Sequence, residues 1–276
     1  QLPPMRVLGT LDHAGLARRA GAVVGEELRA LGYNVDFAPV LDVDSNPKNP
    51  VIGDRSFGRN PLRVGELGTA FGLGLQDRGV LACGKHFPGH GDTSVDSHLA
   101  LPVVHRTRAE LEAVDLVPFR RAVEALGSLM TAHVVFDGLD PGFPATLSRK
   151  ILHELLRREM GYTGLVFSDD LEMRALADRM TVEEAAVGAI RAGCDVLLVC
   201  QTPALADRAY EALVREAERD SEFLARVSHS AHWSRSARRR YPARPTNSTQ
   251  ALHQVFEESG APGVLAELEG RRSLRP

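Results

Sequence analysis

The sequence predicts an α/β fold, a (β/α)8 barrel of the TIM type that lacks its first strands. Three observations support this prediction. Apolar runs alternate regularly with segments of helical periodicity from Leu11 to Val199. The apolar runs are continuous, as in parallel strands that are buried on both faces. Polar side chains follow these runs, at the strand ends where such a barrel places its active site; they are Asp42, Asp44, Lys85, His86, His133, Asp169 and Asp170.

Five strand–helix units are visible along the chain. The predicted strands are residues 35–41, 79–86, 128–134, 164–168 and 195–200. The predicted helices are residues 11–31 (closed by Gly32), 64–76, 108–126, 148–160 and 182–192, with a short final helix near 250–259. A closed barrel needs eight strands and none is predicted after Cys200, so we expect the missing units before Gln1. We divide the chain into a partial barrel, residues 1–225, and a helical and polar tail, residues 226–276.

The bulk composition excludes several classes of protein. A hydrophobic share of 43% and a charged share of 25% are those of an ordinary globular protein. The formal charge of −3 gives no reason to expect nucleic acid or an anionic membrane as partner, and the basic run at 235–240 is interpreted as a solvated helix face. No apolar run approaches the roughly 20 residues of a membrane span. There is no GxGxxG or P-loop, which disfavours a nucleotide-binding open sheet.

The cysteines indicate the redox state of the compartment in which the protein acts. Cys83, Cys194 and Cys200 form no CxxC pair and no disulfide framework. This pattern fits a reducing compartment, so we expect a cytoplasmic protein. We also expect a monomer that acts on a small molecule.

The most polar segment near a strand end is the loop from Gly84 to His98, GKHFPGHGDTSVDSH. It holds three histidines, two aspartates, a lysine and three glycines. A solvated loop is the plainest interpretation, although a loop at this place in a barrel favours a functional site. A metal site is a second interpretation, against which no HxH or HExxH spacing is present. The third is acid/base catalysis, in which Asp96 orients the imidazole of His98.

Two further segments follow predicted strands. In VFSDDLEM, Asp170 is expected to cap a helix, whereas Asp169 should emerge at the barrel mouth, where a carboxylate is able to attack a sugar carbon. In NPVIGDRSFG, Arg55 is either a surface charge or a guanidinium that hydrogen-bonds a sugar hydroxyl.

Six segments together resemble glycoside hydrolase family 3, in its bacterial β-N-acetylglucosaminidase branch. They are NVDFAPVLDV, NPVIGDRSFG, GKHFPGHGDTSVDSH, MTAHVVF, PATLSRKIL and GLVFSDDLEM, and they occur in the family's order between Leu2 and about Cys200. The resemblance implies a retaining exo-glycosidase that releases terminal β-linked GlcNAc from muropeptide-type substrates in peptidoglycan recycling. It implies no metal and no organic cofactor, and a small carbohydrate as the binding partner.

The resemblance also implies roles for six residues. Asp169 corresponds to the nucleophile, His98 to the acid/base and Asp96 to its partner. Arg55, Lys85 and His86 correspond to residues that bind sugar hydroxyls. The family's DxEGG segment is not found in this sequence. Three alternatives stay open: a metal-dependent hydrolase, a non-catalytic sugar-binding remnant, and a phosphorolytic variant of the glycosidase.

Overall fold

The computed structural model describes residues 2–94, 96, 100–246 and 248–273. Within them, the strands are β1 (Val35–Asp36), β2 (Leu81–Phe87), β3 (Val103–Val104), β4 (Ser128–Thr131), β5 (Val135–Phe136), β6 (Leu165–Asp170) and β7 (Val196–Leu198). Five of them form one parallel sheet in the order β1-β2-β4-β6-β7, and β3 pairs with β5 in a separate small parallel sheet. The larger sheet is curled into a half-barrel surrounded by helices, which confirms the predicted fold class.

The described helices follow the predicted alternation. They are α1 (Met5–Leu11), α2 (Ala14–Ala30), α3 (Pro61–Asp77), α4 (Arg108–Ala113), α5 (Leu116–Ala122), α6 (Arg174–Ala177), α7 (Val182–Ala192), α8 (Pro203–Arg219), α9 (Ser221–Arg240), α10 (Thr249–Glu258) and α11 (Ala261–Ser273). A π-helix, Lys150–Glu159, stands between β5 and β6, and two 3-10 turns cover Gly53–Arg55 and Ala145–Leu147. No helix of the described residues is long and apolar enough to cross a bilayer.

The first predicted helix is wrong in its length, because the chain breaks it near the start. Asp12 adopts a left-handed φ of 56° and ends α1. His13 then caps α2, its Nδ1 accepting the N–H of Leu16 at 3.0 Å. Gly32 follows α2 with φ 90°, which confirms the predicted glycine stop. The helix predicted over 108–126 is likewise divided into α4 and α5.

The first predicted strand is too long. Only β1 pairs as a ladder, and Val40 makes one isolated bridge with Lys85. Pro39 has no N–H to donate, although its carbonyl accepts the N–H of Lys85 at 3.0 Å. The chain therefore follows β2 beyond Asp36 without forming a regular strand.

Helices α2 and α3 pack closely on the outside of the sheet. A Cβ on Gly74 would lie 2.0 Å from the carbonyl oxygen of Arg18, and one on Gly21 would lie 2.0 Å from that of Phe71. These glycines let two backbones approach each other where a side chain would separate them.

Apolar side chains of the sheet form a second cluster, and α9 packs against it. Trp233 and Ala237 of α9 contact this cluster, which also includes Tyr241. The sheet residues of the cluster are Leu81, Cys83, Met130, Leu165 and Phe167. Asp195 links α9 to the sheet, accepting from Arg226 at 2.9 Å and Ser230 at 3.0 Å.

The basic run at the end of α9 is exposed at five of its six positions, as the solvated-face interpretation requires. Helix α9 crosses residue 225, and the division of the chain there stays a prediction.

Candidate active site

The carboxyl ends of neighbouring parallel strands bring together five titratable side chains. Asp42 follows β1, Lys85 and His86 lie in β2, and Asp169 lies in β6. His133 follows β4, which pairs with both β2 and β6. Parallel neighbours end at the same edge of a sheet, so this arrangement follows from the strand order.

Asp169 is half-buried, and its Oδ1 accepts the backbone N–H of Asp170 at 2.9 Å. Burial acts to raise the pKa of Asp169, but His86, His133, the Asp170 N–H and Lys85 together lower it below its ordinary value. The carboxylate is therefore ionised at neutral pH. An ionised carboxylate at a strand end is chemically able to act as a nucleophile.

Lys85 and Arg55 line one cavity of 470 Å³, together with Phe37, Pro39 and Asp54 among others. Burial lowers the pKa of Lys85, and the positive charge of Arg55 lowers it further, whereas Asp169 opposes both effects. Arg55 lies in the 3-10 turn and donates to the carbonyl of Val51 at 3.1 Å. The structure thus brings Arg55 and Lys85, two residues predicted to bind the sugar, into one cavity, and Lys85 interacts electrostatically with Asp169.

Asp42 organises the beginning of the glycine-rich loop. Its carboxylate accepts the backbone N–H of His90 at 2.7 Å and that of His86 at 3.1 Å, and it lies 2.7 Å from His86 Nδ1. Burial acts to raise the pKa of Asp42, while His86 and His90 outweigh it and lower that pKa. The beginning of the loop is therefore held by hydrogen bonds to the buried, ionised carboxylate of Asp42.

His90 packs beside His86 with 5.6 Å between the ring centroids. Its Nδ1 lies 3.0 Å from the hydroxyl of Thr93. Burial, reinforced by His86, lowers the pKa of His90 to about 4, so the ring is neutral at pH 7. A buried, neutral, locally bonded imidazole is a structural support of the loop.

The base of the loop is held from two sides. Asn49 donates to the carbonyl of His90 at 2.8 Å and to Thr93 Oγ1 at 3.1 Å. On the other side Arg106 lies 3.0 Å from a carboxylate oxygen of Asp92 and 2.5 Å from one of the buried Asp115. The loop is therefore anchored up to Thr93 by side chains outside it.

The predicted acid/base pair lies further along this loop. The backbone carbonyl of Asp96 accepts the N–H of Ala100 at 3.1 Å. His98 lies outside the described residues, so its role and its pairing with Asp96 stay predictions.

Asp170 has a different role from Asp169. The prediction that Asp170 caps a helix is wrong. Its Oδ1 accepts the N–H of Glu172 at 3.1 Å and that of Cys200 at 3.2 Å, whereas α6 begins only at Arg174. The carboxylate closes a turn and joins it to the chain after β7. Asp169 remains the candidate nucleophile of the two.

Among the described residues, no group of three or more His, Cys, Asp or Glu side chains is placed to hold a metal ion. The loop histidines in that part of the chain, His86 and His90, are engaged with Asp42 and Thr93 instead.

Two residues have a larger place in the site than the sequence indicated. Asp42 and His133 were recognised as polar residues at strand ends, and that position was the available signal. Arg106 and Asp115 were not singled out, because their pairing joins residues on either side of α4 and depends on the packing of α5.

Comparison with known proteins shows which family the chain resembles. A family model described as the glycosyl hydrolase family 3 N terminal domain matches residues 1–232. A β-hexosaminidase from Thiobacillus denitrificans is 43% identical over 266 residues, covering 92% of this chain and 72% of that protein. The chain spans 72% of the length of that protein and 59% of the length of a β-hexosaminidase from Neisseria meningitidis serogroup A.

Solved structures give the same result. A family 3 β-N-acetylglucosaminidase from Paenibacillus sp. str. FPU-7 superposes with a TM-score of 0.86 at 40% identity, covering 94% of this chain and 52% of that one. NagZ from Neisseria gonorrhoeae, in complex with N-trifluoroacetyl-D-glucosamine, superposes with a TM-score of 0.74 at 36% identity, covering 98% and 76%.

The half-barrel and the family match define the class of protein, a glycoside hydrolase. More narrowly, the chain belongs to glycoside hydrolase family 3, and residues 1–232 correspond to the N-terminal domain of that family.

Proposed function

We propose that the protein is a retaining exo-β-N-acetylglucosaminidase that removes terminal β-linked GlcNAc. The observation that carries this proposal is the position of Asp169, an ionised, half-buried carboxylate at the end of β6 among His86, His133 and Lys85. The related β-hexosaminidases and β-N-acetylglucosaminidase structures support the choice of sugar.

In the proposed reaction, Asp169 attacks the anomeric carbon of the sugar while His98 protonates the leaving glycosidic oxygen. The bond from the anomeric carbon to that oxygen breaks as the bond to the carboxylate forms. His98, now neutral and oriented by Asp96, removes a proton from water, which displaces Asp169 and releases the sugar with its configuration retained.

Three side chains are proposed to bind the sugar. Arg55 and Lys85 present cationic donors in one cavity, and His86 lies next to Lys85 on β2. Side chains that are held in place before the sugar arrives bind its hydroxyls with a smaller entropic cost.

The finer proposals concern substrate and setting. We propose a muropeptide-type substrate from peptidoglycan recycling, and action as a monomer in the cytoplasm. The cysteines are consistent with a reducing compartment, since Cys83, Cys194 and Cys200 are all unpaired. Turnover of a GlcNAc–anhydro-muramyl fragment, compared with that of chitobiose, tests the substrate.

Substitution of the nucleophile tests the reaction. Asp169→Asn should reduce release of the aryl group from an aryl β-GlcNAc substrate by at least about 10³-fold, because an amide is not a nucleophile at a sugar carbon. Asp170→Asn is the matched control, since an asparagine Oδ1 still accepts the N–H groups of Glu172 and Cys200, and it should retain activity within about tenfold. Mass spectrometry with a 5-fluoro-GlcNAc fluoride should find the covalent adduct on Asp169. Unreduced turnover by Asp169→Asn would exclude the proposed nucleophile.

The alternatives are separated by further measurements. Full turnover after exhaustive chelation rules out the metal-dependent hydrolase, and GlcNAc-1-phosphate formed in phosphate buffer would identify phosphorolysis. Sugar binding without any turnover would support the alternative in which the protein is a non-catalytic sugar-binding remnant.

A further inference from the structure

Asp42 and His86 form a carboxylate–imidazole pair inside the site. The Asp42 side chain has no exposed surface, and that of His86 is 7% exposed. Asp42 Oδ2 lies 2.7 Å from His86 Nδ1, while Oδ1 accepts the N–H groups of His86 and His90. Within the described part of the chain, each hydrogen bond of this carboxylate is with a nitrogen, so there the carboxylate acts as an acceptor.

This geometry fixes the proton on one ring nitrogen. The pKa of Asp42 is lowered, because its interactions with His86 and His90 outweigh the effect of burial. They include the hydrogen bonds from His86 Nδ1 and from the backbone N–H of His90, which a neutral imidazole leaves in place. An ionised carboxylate has no proton to donate, so the proton between Oδ2 and Nδ1 belongs to His86. Nε2 is the remaining ring nitrogen, and it makes no protein hydrogen bond within the part of the chain that the structure describes.

We propose that Asp42 is a positioning residue that holds His86 as the Nδ1–H tautomer, so that Nε2 accepts a hydrogen bond from a hydroxyl of the substrate. This inference rests on the proposed function. It assigns a role to Asp42 and a direction to the hydrogen bond of His86.

The chemistry of Lys85 explains why an acceptor is needed. An ammonium group only donates hydrogen bonds, whereas a sugar hydroxyl both accepts and donates. A site that offered only the cations of Lys85 and Arg55 would leave the hydroxyl proton unpaired on burial. With Nε2 of His86 as acceptor, β2 presents a donor and an acceptor from adjacent residues.

Nitrogen-15 NMR of the histidine side chains tests the tautomer without any turnover. In the wild-type protein we expect His86 to carry its proton on Nδ1. In Asp42→Asn the amide oxygen should stay with the N–H groups of His86 and His90, which places the NH2 group opposite Nδ1. The NH2 group donates to Nδ1, so the proton of the ring should move to Nε2. Asp195→Asn is the matched control, because Asp195 also has a fully buried side chain, accepts a backbone N–H and ion pairs, and lies at the opposite end of the sheet. It should leave the His86 signals unchanged.

Deoxygenated substrates test the hydroxyl contact. Wild type should turn over one of the 3-, 4- or 6-deoxy aryl GlcNAc substrates about 10- to 100-fold less efficiently than the parent, because a buried acceptor is left unpaired. In Asp42→Asn the parent substrate should lose about 10- to 100-fold in kcat/KM, mainly through KM, and this discrimination should disappear. A merely structural role would lower both substrates equally, as expected for Asp195→Asn.

The outcomes separate this inference from the proposed function. Titration with free GlcNAc should shift the His86 Nε2 resonance even if no substrate is hydrolysed, in which case only the proposed function fails. A wild-type His86 with its proton on Nε2, or a resonance that GlcNAc does not move, overturns the inference, and neither result needs the Asp42 variant to fold.

Discussion

The Nε2 atom of His133 lies 2.9 Å from the carbonyl oxygen of Asp170, so a side chain at the end of β4 holds the backbone beside Asp169. Burial lowers the pKa of His133, and the ring is neutral at pH 7. Nε2–H then donates to the carbonyl, and Nδ1 accepts from the hydroxyl of Thr146 at 2.7 Å. Thr131 in turn lies 2.8 Å from that hydroxyl. A chain of hydrogen bonds thus runs from the core to the residue after Asp169.

Removal of this support should reduce turnover. His133→Leu removes the hydrogen bonds of the imidazole to the Asp170 carbonyl and to the Thr146 hydroxyl, although the N–H of Met173 still reaches the first and the carbonyl of Ala132 the second. The loss should cost about 1 kcal/mol in the free energy of unfolding. It should also lower kcat by about 10- to 100-fold by loosening the backbone of Asp169. His133→Gln restores a donor and should recover part of kcat. Urea denaturation and steady-state kinetics measure the two effects, and an unchanged kcat in the Leu variant would contradict the assignment.

His90 should make the protein less stable in acid. The unfolded chain takes up a proton near the ordinary pKa of 6.5, whereas the folded chain does so only near 4. The stabilisation is therefore complete above pH 6.5 and is lost as the pH falls towards 4. Between pH 7 and 4.5 the wild type should lose about 2 kcal/mol more than His90→Gln. Urea denaturation at the two pH values tests this, and equal losses would show that the imidazole is not held neutral.

Asp115, in contrast to His90, should make the protein more stable in acid. Burial, opposed by Arg106, raises its pKa from 3.8 to about 6. Among the residues that the structure describes, none hydrogen-bonds its Oδ1. The folded state binds this proton more tightly, so its contribution to stability grows as the pH falls from 6 to 4 and is lost as the pH rises. Compared with Asp115→Asn, the wild type should gain about 2 kcal/mol between pH 7 and 4.5. If the free energy of unfolding changed equally in the wild type and in Asp115→Asn between the two pH values, the raised pKa of Asp115 would be refuted.

The close contact of α2 and α3 predicts a large effect from one methyl group. Gly74→Ala places a Cβ against the carbonyl oxygen of Arg18, which only a shift of the helix relieves; we expect a loss of about 3 kcal/mol. In Gly263→Ala the new Cβ meets nothing within 4 Å in α11, so the higher helix propensity of alanine should stabilise the protein by up to about 1 kcal/mol. Thermal unfolding of the two variants compares them. Similar melting temperatures would mean that the helices are free to move apart.

Much of the fold could be predicted because its signals are local. The apolar runs of β2, β4, β6 and β7 and the periodicity of α7 lie within short windows of sequence, and α7 begins and ends where it was expected. The errors have other causes. The break at Asp12 depends on a left-handed backbone angle and a histidine cap, and the small sheet of β3 and β5 joins segments more than thirty residues apart.

The sequence by itself determined which residues follow the buried strands, and with them the candidate nucleophile Asp169 and the sugar-binding candidates Lys85 and His86. Only the tertiary structure decided what surrounds each of them. Asp42 reaches His86 across 44 positions of the chain, and His133 reaches Asp170 across 37. Contacts of this kind are set by strand order and register, whereas the pattern of apolar residues fixes only the strands themselves. For that reason the residues of the site were visible in the sequence, while the partners that set their pKa values and proton positions were not.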